Sequence, residues 1–262
     1  MLKALIFDFD GLVLDTETPE VDVWQAIFRE HGQELPVDEW AKTIGGYGIS
    51  TYDAATHLAG LTGLDAASLR ARYRRESDAL IHASPVLPGV MDLLNDGRSR
   101  GLRIAVASSS PHSWVDSHLS RLGIADRFDR VICSEDVAPG RTKPNPDLFL
   151  LAVERLEVQK EAAVVFEDSP NGVRAARAAG VFVVAVPNPL TLRLGVKGAD
   201  WTVKSLADVS LVELERRLSA KEWGQDSEDH SDTDRKRRPG SATNWRLPGT
   251  VQPAPRNRRL GG

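Results

Sequence analysis

The chain has a single cysteine, Cys133, among 262 residues. It cannot form an internal disulfide, and the fold needs no oxidising compartment. Cys133 ends the apolar run Arg130-Val131-Ile132-Cys133, with no histidine or basic cluster beside it in sequence. It reads as a small buried strand residue and not as a reactive thiol. Long apolar runs are missing as well. None approaches the roughly 20 residues that cross a bilayer. The first apolar stretch, 2–7, is interrupted by Asp8, too early for a signal peptide. A cytoplasmic protein with no membrane partner is therefore expected. The net charge is only −4, which excludes a polyanion-binding surface over the whole chain. No nucleic-acid partner is expected, and a monomer is. There is no internal repeat.

What is present is an ordinary globular composition, 41% hydrophobic and 27% charged, long enough for one domain of about 150 residues and a smaller one. Short apolar runs at 2–7, 102–107, 130–133, 163–166 and 181–186 read as strands buried on both faces. Helical patterns at 89–100, 112–122, 147–156 and 171–179 lie between them. This alternation predicts an α/β fold, a Rossmann-like parallel sheet with helices on both faces. Residues 16–85 interrupt it without a strand. Val21, Trp24, Ile27 and Phe28 share one helical face, Gly32 ends that helix, and further helices are expected at 38–44, 50–58 and 65–83. The predicted organisation is an α/β core from 1–15 and 86–218 and a small helical cap domain from 16–85, inserted after the first strand. From 219 to 262 the chain turns Ser-, Asp-, Arg-, Pro- and Gly-rich, a composition that predicts a disordered tail. Its Arg235-Lys236-Arg237-Arg238 run reads as a solvated charge cluster.

Ligands of an open parallel sheet sit beyond the carboxyl ends of its strands. Asp8 and Asp10 follow the first run, Ser108, Ser109 and Ser110 the second, Lys143 comes in the loop after the third, and Glu167 and Asp168 follow the fourth. Three carboxylates converging on one point repel one another unless a cation joins them, and their hard oxygens suit Mg2+. A carboxylate can also serve as the nucleophile of phosphoryl transfer. A lysine and hydroxyls beside it would neutralise the phosphoryl oxygens.

The stretch Asp8-Phe9-Asp10-Gly11-Leu12-Val13-Leu14-Asp15-Thr16, followed by Ser108, Lys143 and Glu167-Asp168, resembles the four motifs of the haloacid-dehalogenase-like hydrolases, over about residues 1–218. The resemblance implies Asp8 as nucleophile and Asp10 as the acid and base. It implies Ser108, Ser109 and Lys143 as phosphate ligands. Mg2+ would be held by Asp8, the Asp10 main-chain carbonyl and Asp168, with Glu167 bound directly or through water. Ser108 could instead cap the next helix, and Glu167 could be a structural acid behind the ligands. Ser110, before Pro111, reads as that helix cap. Asp15 and Thr16 begin the first insert helix, and Thr16 also stands where it could face substrate. Asp136 reads as a turn residue, Gly45, Gly46 and Gly48 as a plain loop, and Trp24, Trp40 and Trp114 as core.

Among the family's activities, Asp10 argues against a dehalogenase, which has no alkoxide to protonate. Lys42, the sole insert lysine, keeps open a Schiff-base phosphonate hydrolase. The overall look is closest to the β-phosphoglucomutase-like branch. Its mutases hold a second phosphate with an insert arginine and a neighbouring lysine, and carry a histidine early in the insert. Here residues 44–51 contain neither cation, and Glu20 stands at the histidine's place. Thr16 and Glu20 are the expected substrate contacts of the cap. A Mg2+-dependent phosphatase of a small phosphorylated metabolite is therefore the expectation. A sugar phosphomutase and a non-catalytic phosphate-binding protein are the alternatives.

Overall fold

The computed structural model describes residues 1–44 and 50–228, with side chains through 220. Six strands form one parallel sheet: β1 (Ala4–Phe7), β2 (Arg103–Ala107), β3 (Arg130–Ile132), β4 (Ala163–Glu167), β5 (Phe182–Ala185) and β6 (Trp201–Thr202), in the order β3-β2-β1-β4-β5-β6. The register pairs Phe7 with Val106 and with Phe166, which brings the carboxyl ends of the three central strands to one level.

Alternate residues of a strand face opposite sides of the sheet, and both sides are covered here. Leu5, Phe7, Ile104, Val106, Val164 and Phe166 point into one cluster, closed by α5 (Val90–Ser99), α6 (His112–Arg121) and α10 (Leu211–Glu228). Ala4, Ile6, Ala105, Ala107, Ala163 and Val165 point into the other, closed by α7 (Asp147–Arg155) and α8 (Pro170–Ala179). Burial on both faces is why these strands read as unbroken apolar runs instead of alternating ones. Strand β6 was not expected. It is two residues long and pairs only with β5, so it has no run to announce it.

The chain from Thr16 to Pro85 carries α1 (Glu17–Glu30), α2 (Val37–Ala41), α3 (Ala54–Thr62) and α4 (Ala66–Ala83). Their apolar faces form a cluster of their own, with Trp24, Ile27, Phe28, Trp40, Leu58 and Leu69. Trp24 stacks on Tyr73 at 4.5 Å between ring centroids, so Trp24 and Trp40 are core residues, as expected. Helix α3 starts four residues later than its sequence pattern suggests, because the Asp53 carboxylate accepts from Thr56 N at 2.6 Å and caps it there. The two connections of this region run side by side: Leu14 bridges Val86, and Leu87 N donates to Val13 O. Leu190 of α9 (Pro189–Leu194), a helix the sequence reading missed, joins the insert's cluster, and Arg193 pairs with Asp38 at 2.9 Å.

At the far end, α10 runs to Glu228 and takes in the first ten residues, 219–228, of the expected disordered tail. That helix is anchored by the buried Leu211, Leu214 and Leu218, a pattern that lies before the polar stretch. The rest of that expected tail, 229–262 with its Arg235–Arg238 run, and the Gly45, Gly46 and Gly48 loop lie outside the described residues. Among the described residues no helix is long and apolar enough to cross a membrane.

Candidate active site

Asp8 extends β1 by one residue, its N–H donating to Phe166 O at 3.0 Å. The chain then turns sharply, with the N–H groups of Val13 and Leu14 folding back onto Phe9 O. Gly11 makes this turn possible. Its φ is +77°, and a Cβ there would lie 2.5 Å from Asp168 Oδ2, so a side chain would meet both backbone strain and a clash. The turn carries Asp10 round to the mouth of the sheet.

Four strand ends deliver their polar groups to this point. Lys143, from the loop before α7, is buried, with its Nζ 2.5 Å from Asp8 Oδ1 and 2.5 Å from Glu167 Oε1. The ammonium also lies over the Phe149 ring at 5.0 Å. Glu167 is fully buried and accepts from Ser169 N at 3.0 Å and Ser169 Oγ at 3.1 Å. It fits because residue 172 is glycine: a Cβ there would stand 1.8 Å from the Glu167 carboxyl. Ser169 also caps α8, accepting from Gly172 N.

Asp8, Glu167 and Asp168 each offer an oxygen within 4.8 Å of the others. Burial pushes the Asp8 carboxyl up to about 7, with repulsion from Glu167 adding and Lys143 opposing. Burial raises Asp168 well above the carboxylate range, helped by Glu17, Glu167 and Asp8. Burial alone would lower Lys143, but Asp8 and Glu167 outweigh it and hold the ammonium charged. One ammonium cannot neutralise three buried carboxylates. The donor set, all hard oxygens with residual negative charge, fits a divalent cation.

Asp10 is held differently. Its Oδ1 accepts from Trp114 Nε1 at 2.8 Å, and its Oδ2 from Ser110 Oγ at 2.6 Å and Ser108 Oγ at 3.3 Å. Two expectations are corrected here. Ser110 does not cap α6, whose N-cap is Pro111 with no side-chain hydrogen bond; its hydroxyl is spent on Asp10. Trp114 is not simply core, because its indole N–H reaches the site from the first turn of α6. We expect Trp114→Phe, which keeps an aromatic ring and removes the donor, to lower kcat by about tenfold with little change in KM. Steady-state kinetics on one substrate checks this.

Ser108 accepts from Ser110 N at 3.0 Å, so it organises the loop as well as touching Asp10. Ser109 Oγ is buried without a hydrogen-bond partner. Thr16 is buried and lines the cavity, while the helix-starting hydrogen bond comes from Asp15, which accepts from Thr18 N at 3.0 Å. Asp136 is a turn residue, held by Cys133 N, His112 and Arg155. Burial pushes the Cys133 thiol up to about 12, which leaves it inert.

Two site residues escaped the sequence reading. Asn188 Oδ1 caps α9, accepting from Leu190 N and Thr191 N, which aims its amide nitrogen at Asp168 Oδ2 (3.0 Å) and Glu17 Oε2 (2.5 Å). Glu17 is buried and raised above its usual range by burial, against the Asn188 hydrogen bond. The Asn188-Pro189 pair is a helix-start signal, but nothing in sequence tells that its free amide meets Asp168.

Asp8, Asp10, Lys143, Asp168 and the three serines after β2 open onto a cavity of about 640 Å³, whose wall includes Glu20, Thr43, Ser50, Tyr52 and Asp78 of the insert. Lys42 does not reach it. That lysine pairs with Glu39 at 2.6 Å on the exposed face, which removes the Schiff-base reading. Arg70 and Arg72 are also absent from its wall; they pair with Asp53 at 2.7 Å and Glu30 at 2.6 Å.

Comparison with known proteins agrees with this geometry. The family model of haloacid dehalogenase-like hydrolases matches residues 2–180. The chain is 40% identical over 221 residues to YhcW of Bacillus subtilis, covering 84% of this chain and 99% of that protein. It is 30% identical over 212 residues to the validoxylamine A 7'-phosphate phosphatase of Streptomyces hygroscopicus, covering 80% and 96%. A β-phosphoglucomutase of Bacillus subtilis matches at 29% over 231 residues, covering 86% and 96%. Among solved structures, CbbY from Rhodobacter sphaeroides in complex with phosphate superposes with a TM-score of 0.62 at 27% identity, covering 82% of this chain and 100% of that one. A polar rim built from four strand ends and a family match over most of the sheet lead to one conclusion: the chain belongs to the haloacid dehalogenase-like hydrolases.

Proposed function

We propose that this enzyme is a Mg2+-dependent phosphatase of a small phosphorylated metabolite, working in the cytoplasm through a phosphorylated Asp8. The observation that carries the reading is Asp8 itself: a buried carboxylate at the end of β1, paired with Lys143, one face of it on the 640 Å³ cavity.

In the first step an Asp8 oxygen attacks phosphorus and the bond to the alcohol oxygen breaks. Asp10 gives that oxygen a proton. In the second step Asp10 takes a proton from water, the water oxygen attacks phosphorus, and the bond to Asp8 breaks, freeing inorganic phosphate. Lys143 stays beside Asp8 throughout and offsets charge on the phosphoryl oxygens. Ser109, whose buried hydroxyl has no protein partner, gains one in a phosphoryl oxygen, and Ser108 is the neighbouring donor. Asp8, Asp168 and the Asp10 carbonyl would hold Mg2+, with Glu167 close behind; the ion's charge would bring the carboxylates and the phosphate together. Trp114 and Ser110 keep Asp10 at the leaving oxygen's side.

The mutase reading draws on the β-phosphoglucomutase relative. It needs a second phosphate site in the insert, and among the described residues the cavity wall supplies no insert cation, only Glu17, Glu20 and Asp78 as charged groups. Hydrolysis is therefore preferred. The deciding experiment is hydrolysis of an aryl phosphate with Mg2+ and after chelation. Activity should fall below about one hundredth without the ion, and Asp168→Ala should require far more Mg2+ to reach its lower maximum. Chelator-resistant turnover at the full rate would sink the metal assignment. Isomerisation of glucose 1-phosphate without phosphate release would favour the mutase.

A further inference from the structure

The part of the cavity that must receive the alcohol half of the substrate has an unusual charge. Asp8, Asp10, Asp168 and Lys143 are engaged with the phosphoryl group under the reading above. What remains on the insert side is Glu17, Glu20 and Asp78, with the uncharged Thr16, Thr43, Ser50 and Tyr52. Among the described lining residues no cation faces these three acids. Glu17 is committed to Asn188. Among the described residues neither Glu20 nor Asp78 forms an ion pair, and they come from different helices, α1 and α4.

Glu20 is also held in place. Tyr73 stands beside it and favours its charged form, and the Tyr73 ring is fixed by its stack on Trp24 at 4.5 Å and 17°. Burial first, then repulsion from Asp10 and Asp78, pushes the Glu20 carboxyl up to about 7. Asp78 lines the cavity and is exposed to solvent. A desolvated carboxylate with a second one near it lacks a positive partner. A wall of acceptors accepts hydroxyl and ammonium donors and repels phosphate or carboxylate.

We propose that Glu20 and Asp78 are specificity-determining residues that select phosphomonoesters whose alcohol half carries a cationic amine, an aminated sugar or polyol, over neutral analogues and bisphosphates. This inference rests on the phosphatase reading. The ammonium sits between the two carboxylates, while the phosphoryl group reaches Asp8. A charged hydrogen bond of this kind changes affinity by about tenfold or more.

The test compares matched substrates on the full chain: glucosamine 6-phosphate with N-acetylglucosamine 6-phosphate, phosphoethanolamine with its N-acetyl derivative, and fructose 1,6-bisphosphate. Acetylation removes the charge and leaves the phosphate. For at least one pair, kcat/KM should favour the amine about tenfold or more, with the bisphosphate poorest. Glu20→Gln should bring that ratio toward one, whatever its effect on absolute rates, and Asp78→Asn should lower it partly. Glu20→Lys should invert the order and admit the bisphosphate. Aryl phosphate hydrolysis without amine preference in either pair, or a preference that survives Glu20→Gln, would overturn the inference and leave the phosphatase reading standing. No Mg2+-dependent aryl phosphate hydrolysis at all would overturn both.

Discussion

Asp8→Asn is expected to abolish turnover, with kcat down at least about 10³-fold, in a protein that still folds. The amide has the carboxylate's shape but cannot form the phosphorylated intermediate. Stability should hold or rise. In wild type, burial and the Glu167 carboxylate push Asp8 up to about 7, so the folded state keeps a proton that the unfolded chain releases near its ordinary 3.8. Between those values the folded state binds more protons than the unfolded one, and metal-free wild type loses stability as pH rises through that window. Asp8→Asn removes this contribution to the slope. Thermal melts of both proteins in chelator from pH 4 to 8 check it, alongside rates with Mg2+. Activity within tenfold of wild type would refute Asp8 as nucleophile. An unfolded variant at pH 7 would show that the Lys143 pairing outweighs the repulsion.

How much of this was legible in the sequence depends on what brings each residue to the site. Asp8, Ser108, Glu167 and Asp168 sit at the ends of apolar runs, and a parallel sheet aligns such ends, so sequence order alone locates them. Asp10 follows within a short turn of β1, and Lys143 comes in the long connection after β3. Trp114, Glu17 and Asn188 arrive otherwise. Trp114 meets Asp10 across 104 residues of chain and Asn188 meets Glu17 across 171, from helix faces or caps whose local patterns are satisfied without the site. Ser110 was misread for a related reason: a serine before Pro111 is a good helix-start signal, and only the fold shows its hydroxyl turned toward Asp10. The strands of the sheet were legible because both faces are buried. The two-residue β6 and the six-residue α9 were not, being too short for a period to register.

Lys143→Met is expected to have the largest combined effect. The substitution keeps a flexible apolar stem against Phe149 but removes the ammonium that touches both Asp8 and Glu167. Breaking a buried pair by deleting one partner leaves uncompensated charge, and the usual cost is about 3–5 kcal/mol. The Asp8 carboxyl, which Lys143 now pulls down, should move further above 7 and be protonated at neutral pH, when it is no nucleophile. Activity at pH 7 should therefore drop at least about 10³-fold, while the loss of stability, read from denaturant melts, should shrink as pH falls and the acids take up protons. A second substitution separates the two roles. Lys143→Met with Glu167→Gln removes one of the stranded charges, so stability should largely return. Activity should not, because the phosphoryl oxygens still lack their cation. Recovery of both together would mean that Lys143 only holds Glu167 in place and that charge offset at the phosphoryl group comes from elsewhere. Failure to recover either would mean that the packing of Lys143 against Phe149, and not its charge, positions Asp8.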